Sequence, residues 1–505
     1  MGIRRFVRHI RSLESRRERG AVLVVVAAGL VAFMGFSAFA VDLGWIYLQS
    51  SNVKKAAEAA ALAAVVHMPL TTPQVAGSEI MPGVAASDAA DAIAVEHGYS
   101  ASSTKVSRWA KSTQVRVDVS SSTNTFFMSF FGIDTIQLSR FAVAEQLPPL
   151  KLGSDGNRLG SYYDDSGNLV VDENYWLGVN GERRRKQDGD PFSTRCEGSS
   201  GCSGTPNPLH RVPSYFFAVD VPAGDVGANI NVLIYDGSND NGGLDLTDDL
   251  ASGGNDRFTF SLIEPDSTPA DPSDNRANAG GAIAGCTRVF DNAVGSDVWL
   301  SVCSFTPTKQ GIHVLELFVD GGDDAINGYA LRVSGGSGGT SVYGLGFMSL
   351  WMRDAGSSPT LQIVRLDEVY AGSQLIISAF DLGDINGTAL ANVTFGGALA
   401  PIECEVRTLD HDLLNPSAWG IDDSAGAPCR LTTKSGNTGG NQGIYNNEWV
   451  EFLFDIPPNY TCSGSGCWAT VTYNFNGGSP TDRTTWGARI NGTPIHLLNE
   501  NTPSS

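Results

Sequence analysis

The chain opens on a basic stretch and then turns wholly apolar. Gly20 to Val41 is 22 residues without a charged side chain, and Ser37 is its only clearly polar member. About 20 apolar residues rising 1.5 Å each span the hydrocarbon core of a bilayer as a helix. A helix also satisfies every backbone group internally, as lipid requires. Trp45 and Tyr47 follow where an aromatic belt at the outer interface belongs. From Asn52 to Ala64 the residues are strong helix formers, and Pro69 stops them. A helix from Gly20 to about His67 would be on the order of 70 Å long. Its outer part, 42–67, is expected to be a stalk whose alanines admit a partner helix at close range.

Beyond the stalk the period changes. Ala85 to His97 places alanine, isoleucine and valine on one helical face. Gln114–Val119 and Thr135–Val143 alternate polar and apolar residues, as half-buried strands do. These define a small α+β unit over 68–146, and Gln146-Leu147-Pro148-Pro149 opens a linker over 147–161. Short strands and tight turns then fill 162–334 and 342–499, separated by a Gly/Ser linker at 335–341. The two stretches look internally related. Val219-Asp220-Val221-Pro222-Ala223-Gly224 then Ile230–Asp236 parallels Leu366–Gly372 then Leu375–Asp381. The expected fold class is mainly β: a transmembrane helix and stalk, a small α+β membrane-proximal unit, two β-sandwich-like domains, and a tail at 500–505.

Charge gives the chain a direction. Seven arginines against two glutamates give residues 1–19 a charge of +5, so the rest carries −25 of the net −20. The positive-inside rule places that tail in the cytoplasm and the bulk outside. The small-x-small triplet Ala38-Phe39-Ala40 keeps a cleaved signal peptide as the rival to an uncleaved anchor, although the apolar run exceeds the usual signal core of about 7–15 residues. Prepilin-type processing at Gly20 is disfavoured because Val25 stands where such substrates usually carry glutamate. An acidic exterior repels phosphate, which excludes nucleic acid as a partner.

All eight cysteines lie beyond residue 195. An even number in an extracytoplasmic region reads as disulfides, and neighbour pairing is the simplest scheme: Cys196 with Cys202, Cys286 with Cys303, Cys404 with Cys429, Cys462 with Cys467.

Candidate chemistry is sparse. Acidic loops follow both repeated strands; they read first as plain solvated turns, with Asp236 and Asp240 in the first and Asp381 and Asp384 in the second as the candidate calcium ligands if a site is built there. Asp236-x-Ser238-x-Asp240 departs from an EF-hand, with Asn241 replacing the glycine and Thr247 the bidentate glutamate. Asp118-Val119-Ser120-Ser121-Ser122 fits D-x-S-x-S, a pattern of metal-dependent adhesion sites. Without the α/β context such a domain needs, it reads as a strand end entering a serine turn. The aromatic residues, Trp176, Trp351, Trp449, Trp468 and Trp486 among them, are expected in sandwich cores, with stacking on sugars as the alternative. The seven histidines sit in no catalytic motif, so no enzyme is expected.

Arg19-Gly20-Ala21, the apolar run, Val41-Asp42-Leu43-Gly44, Tyr47-Leu48-Gln49 and the alanine-rich stretch Ala56–Ala63 together resemble the N-terminus of TadG-like proteins of the TadE/TadG group, associated with tight-adherence (Flp) pilus assembly. The likeness is close over 16–66. It extends loosely to about 146 through Phe126-Phe127, Phe131-Gly132-Ile133-Asp134 and Ala142-Val143-Ala144-Glu145. It implies an envelope protein whose partners are pilus or secretion components in the membrane. The residues expected to pack laterally on those partners are Gly29, Ala32, Gly35 and Asp42. A surface adhesin binding glycan or cell wall, and an anchored hydrolase, are the alternatives.

Overall fold

The computed structural model describes residues 3–70, 75–166, 168–170, 174–197, 202, 205–236, 257–269, 271, 274–278, 281–291, 298–320, 326–352, 358–382, 390–408, 429–434, 445, 447–476, 483–492 and 494–498. They form two compact units. One holds residues up to 65, 75–145 and the chain end from 497; the other holds 66–74 and 146–496.

In the first unit a single helix, α1 (Ile3–Val65), runs through the anchor and the expected stalk without a break. At 1.5 Å per residue its 63 residues extend about 95 Å. Its outer half is not a free stalk. Val53, Ala56, Ala57, Ala60, Ala61 and Ala64 recur at three- and four-residue steps and are all buried. The stripe faces α2 (Ala85–Glu96), which turns Ala86, Ala90 and Ala94 inward. It also faces an antiparallel sheet of β1 (Thr104–Arg108), β2 (Gln114–Asn124) and β3 (Thr135–Gln146). Val115, Val117 and Val119 supply the buried row of β2. Small side chains let the α1 backbone approach these elements closely, so the partner sought for the alanines lies in the same chain. At the far side of β3 the chain end returns, and the Leu498 N–H donates to the Val143 carbonyl at 2.8 Å.

The second unit is a sandwich of two long antiparallel sheets. From edge to edge, one runs Val298–Phe305, Ile230–Asp236, Ile326–Gly335, Trp176–Asn180, Phe347–Trp351, Arg483–Ile490, Gln374–Phe380, Trp449–Asp455, Cys404–Thr408. The other runs Ala282–Asp291, Arg257–Ile263, Gly311–Asp320, Tyr215–Val221, Ser341–Leu345, Lys151–Leu152, Thr360–Arg365, Trp468–Asn474, Leu390–Gly397, Arg430–Lys434. Both sheets therefore pass straight through the expected boundary at 335–341. Residues 147–161 do not form a linker either: Lys151–Leu152 bridges the two halves of the second sheet, and Arg158–Leu159 adds to the first.

The internal relation noticed in the sequence reaches the whole strand order. Read inward from its edges, the second sheet presents Ala282–Asp291, Arg257–Ile263, Gly311–Asp320, Tyr215–Val221 from one side. From the other it presents Arg430–Lys434, Leu390–Gly397, Trp468–Asn474, Thr360–Arg365. The two sequence-matched segments each cross from the second sheet to the first, Tyr215–Val221 to Ile230–Asp236 and Thr360–Arg365 to Gln374–Phe380, and their first strands occupy equivalent places in the second sheet. Their cores match too. Phe260 stacks edge-on against Tyr329 across the sheets at 5.8 Å in one half, and Phe395 against Trp486 at 6.2 Å in the other. The aromatic residues are core, as expected for Trp176, Trp351, Trp468 and Trp486; Trp449 is half-buried against Phe380 and Phe347.

The four neighbour disulfides are formed, with Cα–Cα distances of 4.6, 4.9, 5.7 and 5.1 Å in chain order. Cys286 and Cys303 lie on the outermost strands of the two sheets at one end of the sandwich. At the other end Cys404 opens the outermost strand of the first sheet and Cys429 immediately precedes that of the second.

Candidate functional site

The first unit carries the feature with the clearest chemistry. From Val22 to Val41 the side chains of α1 stand out into the surroundings, with Phe36 78% exposed and only Ala38 half-covered. Beyond the helix's own adjacent turns, nothing lies within 4 Å of a methyl built on Gly29 or Gly35, and Ala32 is exposed as well. Among the described residues of the first unit, nothing covers the expected packing face.

Asp42 behaves otherwise. It is fully buried, and its carboxylate accepts three successive backbone N–H groups: Phe126 at 2.8 Å, Phe127 at 2.8 Å and Met128 at 2.6 Å. Charge-assisted bonds of this kind are about twice as strong as neutral ones. One turn on, the Trp45 indole N–H donates to the Thr123 hydroxyl at 3.2 Å, and its ring meets Phe126 edge-on at 5.6 Å. The sequence placed Asp42 among residues facing other proteins; here it clamps the far end of the β2–β3 hairpin onto α1, at the first charged position after the apolar run.

That hairpin end was legible only as a family likeness. Phe126, Phe127, Phe130, Phe131 and Ile133 are exposed at a turn, where polar residues are the rule. Four phenylalanines within six positions between two alternating strands were the signal available in the sequence.

The remaining candidates separate. Asp118, Ser120 and Ser122 lie along one continuous strand, β2, not in a serine turn, and Arg116 grips the Asp118 carboxylate at 2.8 and 2.6 Å. That pair lines a shallow groove of about 470 Å³ with Lys105, Trp109 and Ser139. Of the calcium candidates, Asp381 is buried with a left-handed backbone (φ 64°), and its carboxylate accepts the Asn447 N–H at 2.6 Å. Asp236 ends its strand. Asp240 and Asp384 lie outside the described residues. Two carboxylates the sequence did not single out organise loops of the sandwich. Asp225 accepts the Ser337 N–H and hydroxyl, both at 2.5 Å, and the Thr340 hydroxyl at 2.8 Å; these bonds, the Ser337 hydroxyl foremost, hold its pKa down to about 2. Asp190, fully buried, accepts the Asn180 N–H at 2.8 Å, the Tyr215 hydroxyl at 2.6 Å and the Ser193 hydroxyl.

Comparison with known proteins bears on the anchor. None of the curated proteins compared matches the chain. A solved structure of infectious bursal disease virus, Gx strain, aligns over 77% of this chain and 85% of its own at 12% identity, with a TM-score of 0.10, at which no shared fold is implied. Residues 20–67, the uncovered apolar run together with Asp42 and the alanine stripe, match the family described as putative Flp pilus-assembly TadE/G-like.

Proposed function

We propose that this protein is a single-pass envelope component of the TadG kind, acting in Flp-type pilus assembly or surface attachment. The observation that carries the reading is the family match over 20–67, coincident with an apolar helix long enough to cross a membrane, whose described side chains from Val22 to Val41 are almost all exposed. Orientation follows from two independent arguments. Arginines precede the apolar run, which favours a cytoplasmic N-terminus. Four disulfides follow it, and these persist in oxidising compartments outside the cytoplasm. Gly29, Ala32 and Gly35 then offer a small-residue face to other membrane helices of the assembly machine, because packing in lipid relies on close backbone approach.

Deleting the gene and counting surface pili by electron microscopy tests the reading, with adherence measured on the same cells. Loss of pili is the expected result. Normal pili with weakened adherence would move the protein from assembly to attachment, and normal pili with normal adherence would end the proposal.

A further inference from the structure

Thr125 to Ile133 is nine residues with no ionisable side chain, and six of them are Phe126, Phe127, Met128, Phe130, Phe131 and Ile133. Phe130 and Phe131 are 84% and 82% exposed, and Phe126, Phe127 and Ile133 beside them are exposed too, while the large exposed apolar residues described outside this segment and α1 are scattered along the chain. An exposed aromatic cluster of this kind marks a contact with something apolar.

Three observations say what that is. The first is place. Asp42 fixes the cluster to the residue where the charge-free run of α1 ends, so the tip stands at the level where the helix leaves the hydrocarbon. Aromatic rings are at home in that layer. The second is backbone chemistry. In lipid an unsatisfied N–H costs several kcal/mol, and six of the tip's backbone donors are occupied. Phe126, Phe127 and Met128 donate to Asp42, Phe130 to the Phe127 carbonyl, Gly132 to Ser129 and Ile133 to Met128. The Ser129 hydroxyl is turned back onto the Phe126 carbonyl at 2.9 Å. The third is what the tip lacks. A protein interface carries roughly one hydrogen bond per 100–200 Å², and the two hydroxyls of this segment, on Thr125 and Ser129, are both turned onto its own carbonyls, at Ile133 and Phe126.

We propose that the β2–β3 hairpin tip, Phe126 to Ile133, is a second membrane contact, seated in the outer leaflet beside α1 and held there by Asp42. It rests on the reading that α1 spans the membrane. A lone helix leaves the exterior free to swivel about its axis. A second foothold fixes that angle for the first unit, and so fixes which way Gly29, Ala32 and Gly35 face for a partner.

The test uses the full chain in vesicles of phosphatidylethanolamine and phosphatidylglycerol. Its eight native cysteines are paired, so one added cysteine takes a nitroxide label. Phe130→Cys and Phe131→Cys probe the tip, Phe36→Cys probes the helix, and Ser112→Cys, at the opposite end of β2, serves as the aqueous control. Collision with oxygen against collision with a water-soluble nickel chelate gives depth. Labels at 130 and 131 are expected to favour oxygen, as at 36, while 112 favours nickel. Adding Asp42→Ala to Phe130→Cys is expected to return that label toward the nickel side. Nickel access at 130 and 131 equal to that at 112, with 36 in lipid, overturns this inference alone. Shielding from both reagents also overturns it and points to a protein partner on the tip. Nickel access at 36 overturns the membrane reading of α1 itself.

Discussion

At the scale of single residues, buried titratable groups set how this protein answers acid. His313 is fully buried on Gly311–Asp320, with its Nδ1 within 3.2 Å of the Gly311 carbonyl and its ring 5.3 Å from Phe305. Burial pushes its pKa down to about 4, against weaker upward pulls from Gly311, Glu264 and Asp220. Unfolded, it would titrate near 6.5. Between those values the unfolded chain binds the extra proton, so stability falls as pH drops from 6.5 toward 4. The full effect is about 3 kcal/mol. In His313→Gln the fall across that window should shrink by most of this amount, read as urea midpoints at stepped pH. Asp225 acts lower on the scale. Its depressed pKa gives stability that is present above about pH 4 and lost as pH falls toward 2. Asp225→Asn should remove that acid step. It should also loosen the 335–340 turn, where Gly336 (φ 60°) leaves no room for a side chain: an added Cβ would come within 2.6 Å of the Asp225 carboxylate.

At the scale of elements, the sequence disclosed periods but not partners. The anchor, α2, β2 and β3 were legible because their apolar spacing is unambiguous. The alanine stripe of α1 was legible as a packing face too, yet spacing cannot say whether the partner is another molecule or α2 of the same chain. The linker expected at 147–161 became sheet because a two-residue strand such as Lys151–Leu152 carries no period at all. The Asp42 clamp joins residues 84 apart and has no local signature. Substitution separates the two kinds of packing on α1. Ala60→Leu overfills a buried position and should cost about 1–3 kcal/mol of first-unit stability. Gly35→Leu meets open space and should leave stability unchanged while impairing piliation. Equal losses of stability in a melting assay would refute the distinction. A further close contact sits beside Asp190. Gly189 has φ 79°, and a Cβ there would fall 1.6 Å from the Arg483 carbonyl. Gly189→Ala therefore forces a backbone shift and should cost more than the 1–3 kcal/mol typical of backbone strain alone, measured by chemical unfolding.

At the scale of the whole molecule, the sandwich unit faces the problem of every open sheet, namely exposed edges that invite pairing with other chains. Its strand order places the duplicated halves back to back, so the outermost strands fall at two remote ends. Each end is closed by a disulfide from one sheet to the other, Cys286–Cys303 at one and Cys404–Cys429 at the other. Their sequence separations are 17 and 25 residues. By loop entropy each should contribute about 3 kcal/mol, somewhat more than the tight Cys462–Cys467 loop with its separation of 5. Paired alanine substitution at either end should lower the unfolding free energy by that amount. Because the two bridges lie at opposite ends of the strand order, removing both should cost close to the sum. The two halves share both sheets, so they should still melt in one transition after either bridge is removed. Two separated transitions in calorimetry would mean that Lys151–Leu152 and the pairing of Trp176–Asn180 with Phe347–Trp351 do not couple the halves, and that each half folds on its own.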